Sequence, residues 1–232
     1  MAGHSHAKNV MHRKEAQNRK KAKIFTKFSR AISVAIKQGG SNDPEINSKL
    51  KFALKLANSA GVTKDIIKRA IEKGSNEKDL DEVLYEGYAP GGIAILVEAL
   101  TDNKTKIAAE IRSIFSKHGG AMSEPNSVAF MFNRLAKIVV DTENFEKFFE
   151  IAIELNAVDV NENHAFFTPE NLHKTQEILE EKGWQVIDAE ICYIPQTLIE
   201  ASNDEQYETF EKMINTLEEN ESVQNCWHNF KN

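Results

Sequence analysis

The chain has 232 residues and a formal net charge of −6, an average that conceals 17 Lys and Arg against 5 Asp and Glu over residues 1–75 and 12 against 30 over residues 76–232. Such asymmetry points to a nucleic-acid or anionic-surface partner for the basic part; no apolar run approaches the ~18–20 residues of a membrane span, and the opening Met1-Ala-Gly-His-Ser-His lacks the apolar stretch of a secretory signal. Cys192 and Cys226, 34 positions apart and without a CxxC pair, read as reduced, part-buried thiols of a cytoplasmic protein.

Residues 1 to about 16 carry His4, His6, Lys8, His12, Arg13 and Lys14 with few apolar anchors, the composition of a mobile basic tail that orders on a partner. A helix is expected next. At 100° per residue Ile24, Phe28, Ala31, Ile32, Ala35 and Ile36 share one face, while Lys20, Lys23, Lys27, Arg30 and Lys37 form an opposed cationic stripe; Gly39-Gly40 stops it. From Lys8 to Lys37 there are 10 basic residues and a single acid, Glu15. Asp43-Pro44 predicts the start of a second helix with Ile46, Leu50, Ala53, Leu54 and Ala57 inward, ended at Gly61. Thr63 caps a third, with Ile66, Ile67, Ala70 and Ile71 inward and Gly74 as its stop. Three short amphipathic helices make a small bundle.

Composition and period change after Ser75. Strands are expected at 83–88 and 93–100 around Ala89-Pro90-Gly91-Gly92, a helix at 104–118, and a strand at 127–133. There follow a strand at 136–140, a helix at 143–155, strands at 158–161 and 165–168, a helix at 169–182 and a strand at 185–193. That β-α-β-β-α-β order is the split βαβ arrangement of a ferredoxin-like unit. A helix near 204–217 and a strand near 222–230 cannot fold alone, so they are expected to return to the sheet begun at Val83. Phe130, Phe132, Phe148, Phe149, Phe166 and Phe167 read as core, although an open sheet face could stack bases.

Few constellations carry chemistry. Tyr88, Pro90, Gly91 and Gly92 form a tight turn that could double as a partner-contacting loop, but the P-loop Lys-Ser/Thr and the GxGxxG pattern are missing. Ala2-Gly3-His4, with Met1 removed, would offer the donor set of a square-planar copper or nickel site; His12 beside Arg13 and Lys14 suits phosphate better, and no metal or other cofactor is expected. No activated nucleophile or metal-ligand spacing is visible, so the protein is read as no enzyme and no small-molecule substrate is expected. The acids of residues 143–221 read mainly as a solvating surface, with orienting the basic domain or keeping nucleic acid off that face as the lesser readings.

Several stretches together resemble the YebC family: Met1-Ala-Gly-His-Ser5, His12-Arg-Lys14, Lys23-Ile-Phe-Thr-Lys27, Arg69-Ala-Ile-Glu-Lys-Gly74, Tyr85-Glu-Gly-Tyr88 with Pro90-Gly-Gly92, Leu100-Thr-Asp-Asn103, Ile114-Phe-Ser-Lys117 with Gly119-Gly120, and Glu124-Pro125. His6-Ala7 stand where many relatives carry Lys-Trp. The resemblance implies a DNA-binding transcriptional regulator of the cytoplasm; other members act on translation, some associating with ribosomes and easing synthesis through proline-rich stretches. It also implies three domains, in accord with the reading from the residues. The expected fold is multidomain α+β, an N-terminal three-helix domain followed by two ferredoxin-like α+β domains, the third inserted into the second. Its boundaries are 1–78, 79–135 plus 196–232, and 136–195.

The function expected is nucleic-acid-binding regulation of gene expression, with Lys8, His12, Arg13, Lys14, Arg19, Lys20, Lys23, Lys27 and Arg30 on the nucleic acid. Its partner is DNA or, in the translation reading, ribosomal RNA on the ribosome. A protein-binding adaptor built on the acidic part is a third reading. No membrane partner is expected, and the sequence leaves the oligomeric state open.

Overall fold

The computed structural model describes residues 24–231 apart from 38, 75–79, 143 and 201–202. It divides into two compact units. The first takes its described residues from Met1–Val83, Leu100–Lys104 and Glu219–Gln224, and the second from Leu84–Ala99, Thr105–Glu218 and Asn225–Asn232. The expected basic tail lies outside the described residues.

In the first unit, helix α1 (24–37) buries Ile32, Ala35 and Ile36, with Phe25 and Phe28 packed beside them. These meet Leu50, Ala53 and Ala57 of α2 (Ser48–Ser59) and Ile67 and Ala70 of α3 (Lys64–Gly74) in one apolar cluster. Asn47 organises the junction. Its side-chain oxygen accepts from the Leu50 N–H at 3.0 Å as the N-cap of α2, and its amide donates to the carbonyls of Ala35 at 2.9 Å and Ser41 at 2.6 Å. Asp43-Pro44 therefore starts a separate turn, not the helix, and Ile46, expected inward, is 75% exposed. A turn closed by the Asp43 carbonyl spends Ile46 before the helical period begins. Ile24, also placed on the core face by period, is 41% exposed at the first described turn of α1. Gly74 does more than stop α3: a Cβ there would sit 2.8 Å from the Ser33 Cα, so the glycine lets two helices touch.

The second unit, with strand ends that run into the first, carries a four-stranded sheet ordered β3-β1-β2-β8. Its members are β1 (Asp81–Ala89), β2 (Ile93–Thr101), β3 (Ala121–Met122) and β8 (Val223–His228). β2 is buried along its length except at Glu98, as its run of Ile, Leu, Val and Ala requires for a strand flanked on both sides. Helix α4 (Lys104–Lys117) buries Ile107, Ile111 and Phe115 at i, i+4 and i+8. Phe115 stands against Gly87, where a Cβ would also lie 2.6 Å from the Ala121 carbonyl oxygen. Helix α7 (Asp204–Glu219) buries Phe210, Met213 and Leu217, and the Phe210 ring meets His228 edge-on at 4.9 Å. The last helix and strand thus return to the first sheet, as the sequence required.

A second sheet has the order β5-β6-β4-β7. It comprises β4 (Phe132–Asp141), β5 (Asp159–Val160), β6 (His164–Phe167) and β7 (Gln185–Pro195), with α5 (Phe145–Glu154) after β4 and α6 (Leu172–Glu181) after β6. All three pairings are antiparallel, which with the βαββαβ chain order is a ferredoxin-like unit. The two strands expected at 127–133 and 136–140 are one: the chain makes a 3-10 turn over Ala129–Met131 and then forms a single strand from Phe132 to Asp141, with an irregularity in its register against β7 between Val139 and Val140. Alternation misled there, because Val128 is buried through the turn while Phe130 is 69% exposed. The fold is multidomain α+β.

Candidate nucleic-acid interface

Lys8, His12, Arg13, Lys14, Arg19, Lys20 and Lys23 lie outside the described residues. Lys27 and Arg30 are on α1, where with Lys37 they occupy the side opposite Ile32 and Ile36. No acid occurs between residues 24 and 37. Arg30 is not devoted to a ligand. It is half-buried, and its guanidinium donates to the Leu100 carbonyl oxygen at 3.4 Å, tying α1 to the end of β2.

Sequence reasoning overlooked cations on the two following helices. α3 turns Ile67 and Ala70 inward and exposes Lys64, Lys68 and Arg69 alongside Asp65 and Glu72. α2 contains no acid and exposes Lys49 and Lys51, the latter 3.8 Å from Glu45 in a solvated pair. The amphipathic period carried this signal, since any helix with one buried stripe must show its lysines elsewhere.

The loop predicted at Tyr88, Pro90, Gly91 and Gly92 is divided by the structure. The Tyr88 hydroxyl turns inward, donating to the Ser127 carbonyl at 3.4 Å with the Met131 sulfur at 3.7 Å. Gly91 and Gly92 are exposed with φ of 82° and 76°, and Gln206 donates to the Pro90 carbonyl at 2.9 Å. A Cβ on Gly91 would run into the Gln206 amide.

Glu86, in the same motif, was missed as a keystone. Only 4% exposed, its carboxylate accepts from the N–H groups of Asn126 at 2.6 Å and of Val128 and Ala129 at 2.7 Å each. Its backbone carbonyl takes the Ser123 N–H at 2.8 Å. Nothing local in the sequence marks a partner forty residues away.

The second sheet gives no base-stacking face. Cross-strand register puts Lys137, Phe166 and Glu190 side by side, flanked by Val139, His164 and Asp188, with Asp159 opposite Phe166. Phe166 is only 8% exposed, and the three carboxylates outnumber the one lysine. Burial and Lys137 push the His164 imidazole below its ordinary range, with Asp159 opposing. Burial, then Glu190, pushes the Cys192 thiol up to about 11 against the pull of Lys137, so that thiol stays protonated and inert at neutral pH. Neither Cys192 nor Cys226 is in a disulfide. Among the described residues no group of three His, Cys, Asp or Glu could hold a metal ion, and no helix is long and apolar enough to cross a membrane. Ala2-Gly3-His4 lie outside them.

Two family models cover this chain, one described as the TACO1/YebC protein N-terminal domain over residues 5–77 and one as the TACO1/YebC second and third domain over residues 80–230. The chain is 44% identical to a "probable transcriptional regulatory protein" of Caldanaerobacter subterraneus subsp. tengcongensis, over 99% of its own length and 98% of the relative's. It is 42% identical to one of Syntrophotalea carbinolica, over 99% and 95%. Among solved structures it is similar to a conserved hypothetical protein from Aquifex aeolicus, with a TM-score of 0.78, 36% identity and 90% of each chain covered.

Proposed function

Since this chain belongs to the TACO1/YebC family, we propose that it is a regulator of gene expression that binds nucleic acid, DNA in the first instance, through its basic N-terminal unit. Relatives at about this similarity carry the name of transcriptional regulators. The observation that supports the grip is the acid-free α1, whose cations stand opposite its buried face. Lys27 shares the cationic stripe expected from the sequence for Lys20 and Lys23, and in this reading Lys8, His12, Arg13, Lys14 and Arg19 add phosphate contacts. Arg30 holds the helix in place as much as it meets a ligand. Gly91 and Gly92, rather than Tyr88, offer the secondary contact. Cytoplasmic residence and a non-enzymatic role go with this reading. We also assign three domains, 1–78, 79–135 with 196–232, and 136–195, on the ground that each sheet closes its own ladder.

Cationic side chains that neutralise phosphates release counterions, so affinity falls steeply with salt. Reversing Lys20, Lys23 and Lys27 to Glu together should reduce retention of duplex DNA at least tenfold and flatten the plot of log affinity against log salt, read by filter binding. An unchanged isotherm removes the proposal. Sedimentation through a gradient with and without nuclease then separates targets: co-migration with ribosomes moves the same grip to ribosomal RNA, whereas protection of one promoter segment keeps it on DNA.

A further inference from the structure

Helix α5 exposes an apolar ridge that the nucleic-acid reading does not use. Phe145 is 43% exposed, Phe149 44% and Ile153 52%, and they recur at i, i+4 and i+8 on one side of the helix. The Phe145 and Phe149 rings touch, with centroids 5.8 Å apart. Val158, just before β5, is a further exposed apolar side chain at 58%. Phe148 and Ala152 face the core, so the ridge is surplus to folding. A solvent-facing run of two phenylalanines and an isoleucine is the mark of an interaction surface.

Charge decides what it fits. Going round α5 at 100° per residue, the ridge is followed by Glu146, Glu150 and Glu154, a parallel row of carboxylates. Glu154 is paired with Lys182 at 3.3 Å; Glu146 and Glu150 have no cation partner among the described residues. Beyond them lies a cleft of 640 Å³ lined by Lys147, Glu150, Ile151, Glu154, Lys182, Gly183 and Trp184. A second copy of this chain would bring the same carboxylates to both sides of a shared seam, which like-charge repulsion opposes. Strand pairing at β5 is also blunted, because the Asp159 carboxylate accepts from the Val160 N–H at 2.9 Å. We propose that the α5 ridge docks a cationic amphipathic helix of a protein partner, its apolar stripe on Phe145, Phe149 and Ile153 and its lysines or arginines on Glu146 and Glu150.

The test uses the full chain and a fluorescein-labelled 18-residue helical peptide of Leu and Lys, followed by anisotropy, with a Leu/Glu peptide of the same pattern as control. The Leu/Lys peptide should bind saturably at one per chain and the Leu/Glu peptide should not. Phe149→Ser and the pair Glu146→Lys, Glu150→Lys should each weaken binding at least tenfold, while Phe149→Leu restores it; circular dichroism checks that the exposed substitutions leave the fold intact. Nucleic-acid retention stays unchanged in all of them, which keeps this proposal separable from the grip of the basic unit. Equal binding of both peptides, or Leu/Lys binding that survives Phe149→Ser, overturns it. So does self-association in sedimentation equilibrium that Phe149→Ser abolishes, since a second copy then holds the ridge.

Discussion

Glu86 shows how much one side chain can hold. A carboxylate with three short backbone donors is strongly bound where it lies, and truncation would strand three N–H groups. Glu86→Ala should therefore lower unfolding stability by about 3 kcal/mol in urea denaturation. The amides of Asn126, Val128 and Ala129 should lose hydrogen-exchange protection first. Asn47→Ala removes a cap and two buried donors at once, and about 2–3 kcal/mol is expected from the same measurement. His228 gives a pH dependence. Burial pushes its imidazole down, with the Phe230 backbone and Glu218 opposing, and His164 is shifted the same way. A depressed folded-state value means that the unfolded chain binds more protons as pH falls below about 6.5. Stability is thus full above that pH and is lost on acidification, and His228→Gln should flatten the fall in urea midpoint between pH 7 and 5. None of these residues announces itself in the sequence. Glu86 looks like any surface polar residue until a loop forty residues along the chain closes on it, and Asn47 until the end of α1 and the Ser41 turn come to its amide.

At the scale of elements the sequence was more generous. Among the described residues, periods of 3.6 and 2 located the α-helices and most strands, because burial of one face is written into residue spacing. It failed where a turn intervenes. Ile46 and Phe130 both sit in turns immediately before a regular element, where apolar character no longer implies an inward side chain. Phe149, also expected in the core, belongs instead to the exposed ridge of α5. The two-residue β3 is too short to carry any period, yet its pairing with β1 completes the first sheet. In the second sheet β4 is paired on both sides, with β7 over the whole of its length. Its amides should be the slowest to exchange in that sheet, and those of the edge strand β5 the fastest; the reverse order would show that the ladder opens from the centre.

For the molecule as a whole, net charge is a poor guide to partner. A chain of −6 should still be retained by a polyanion at neutral pH, because the Debye length of about 8 Å confines each charge to its own neighbourhood. With roughly four to seven phosphates engaged, log affinity should fall against log salt with a slope of about −4 to −6, and Lys27→Glu alone should reduce that slope by about 1. Charge asymmetry was legible at once. The particular contacts were not, because helix geometry alone places a cation on a face without saying whether, like Arg30, it is spent on a carbonyl within the fold.

The ladder between β4 and β7 begins with Phe132 opposite Pro195, and directly below it the Gln196 N–H donates to the Met131 carbonyl at 2.9 Å. The chain therefore leaves and re-enters at a single point, so that a gene lacking codons 132–195 would join two ends that already touch. That closeness accords with the insertion we propose for residues 136–195, while Phe132 and Tyr193 at its edge pack into one cluster with Ala94, Leu96 and Trp227 of the first sheet. Grafting a foreign ferredoxin-like unit in place of residues 136–192, with Phe132 and Tyr193 kept, should yield a chain that still folds around β2.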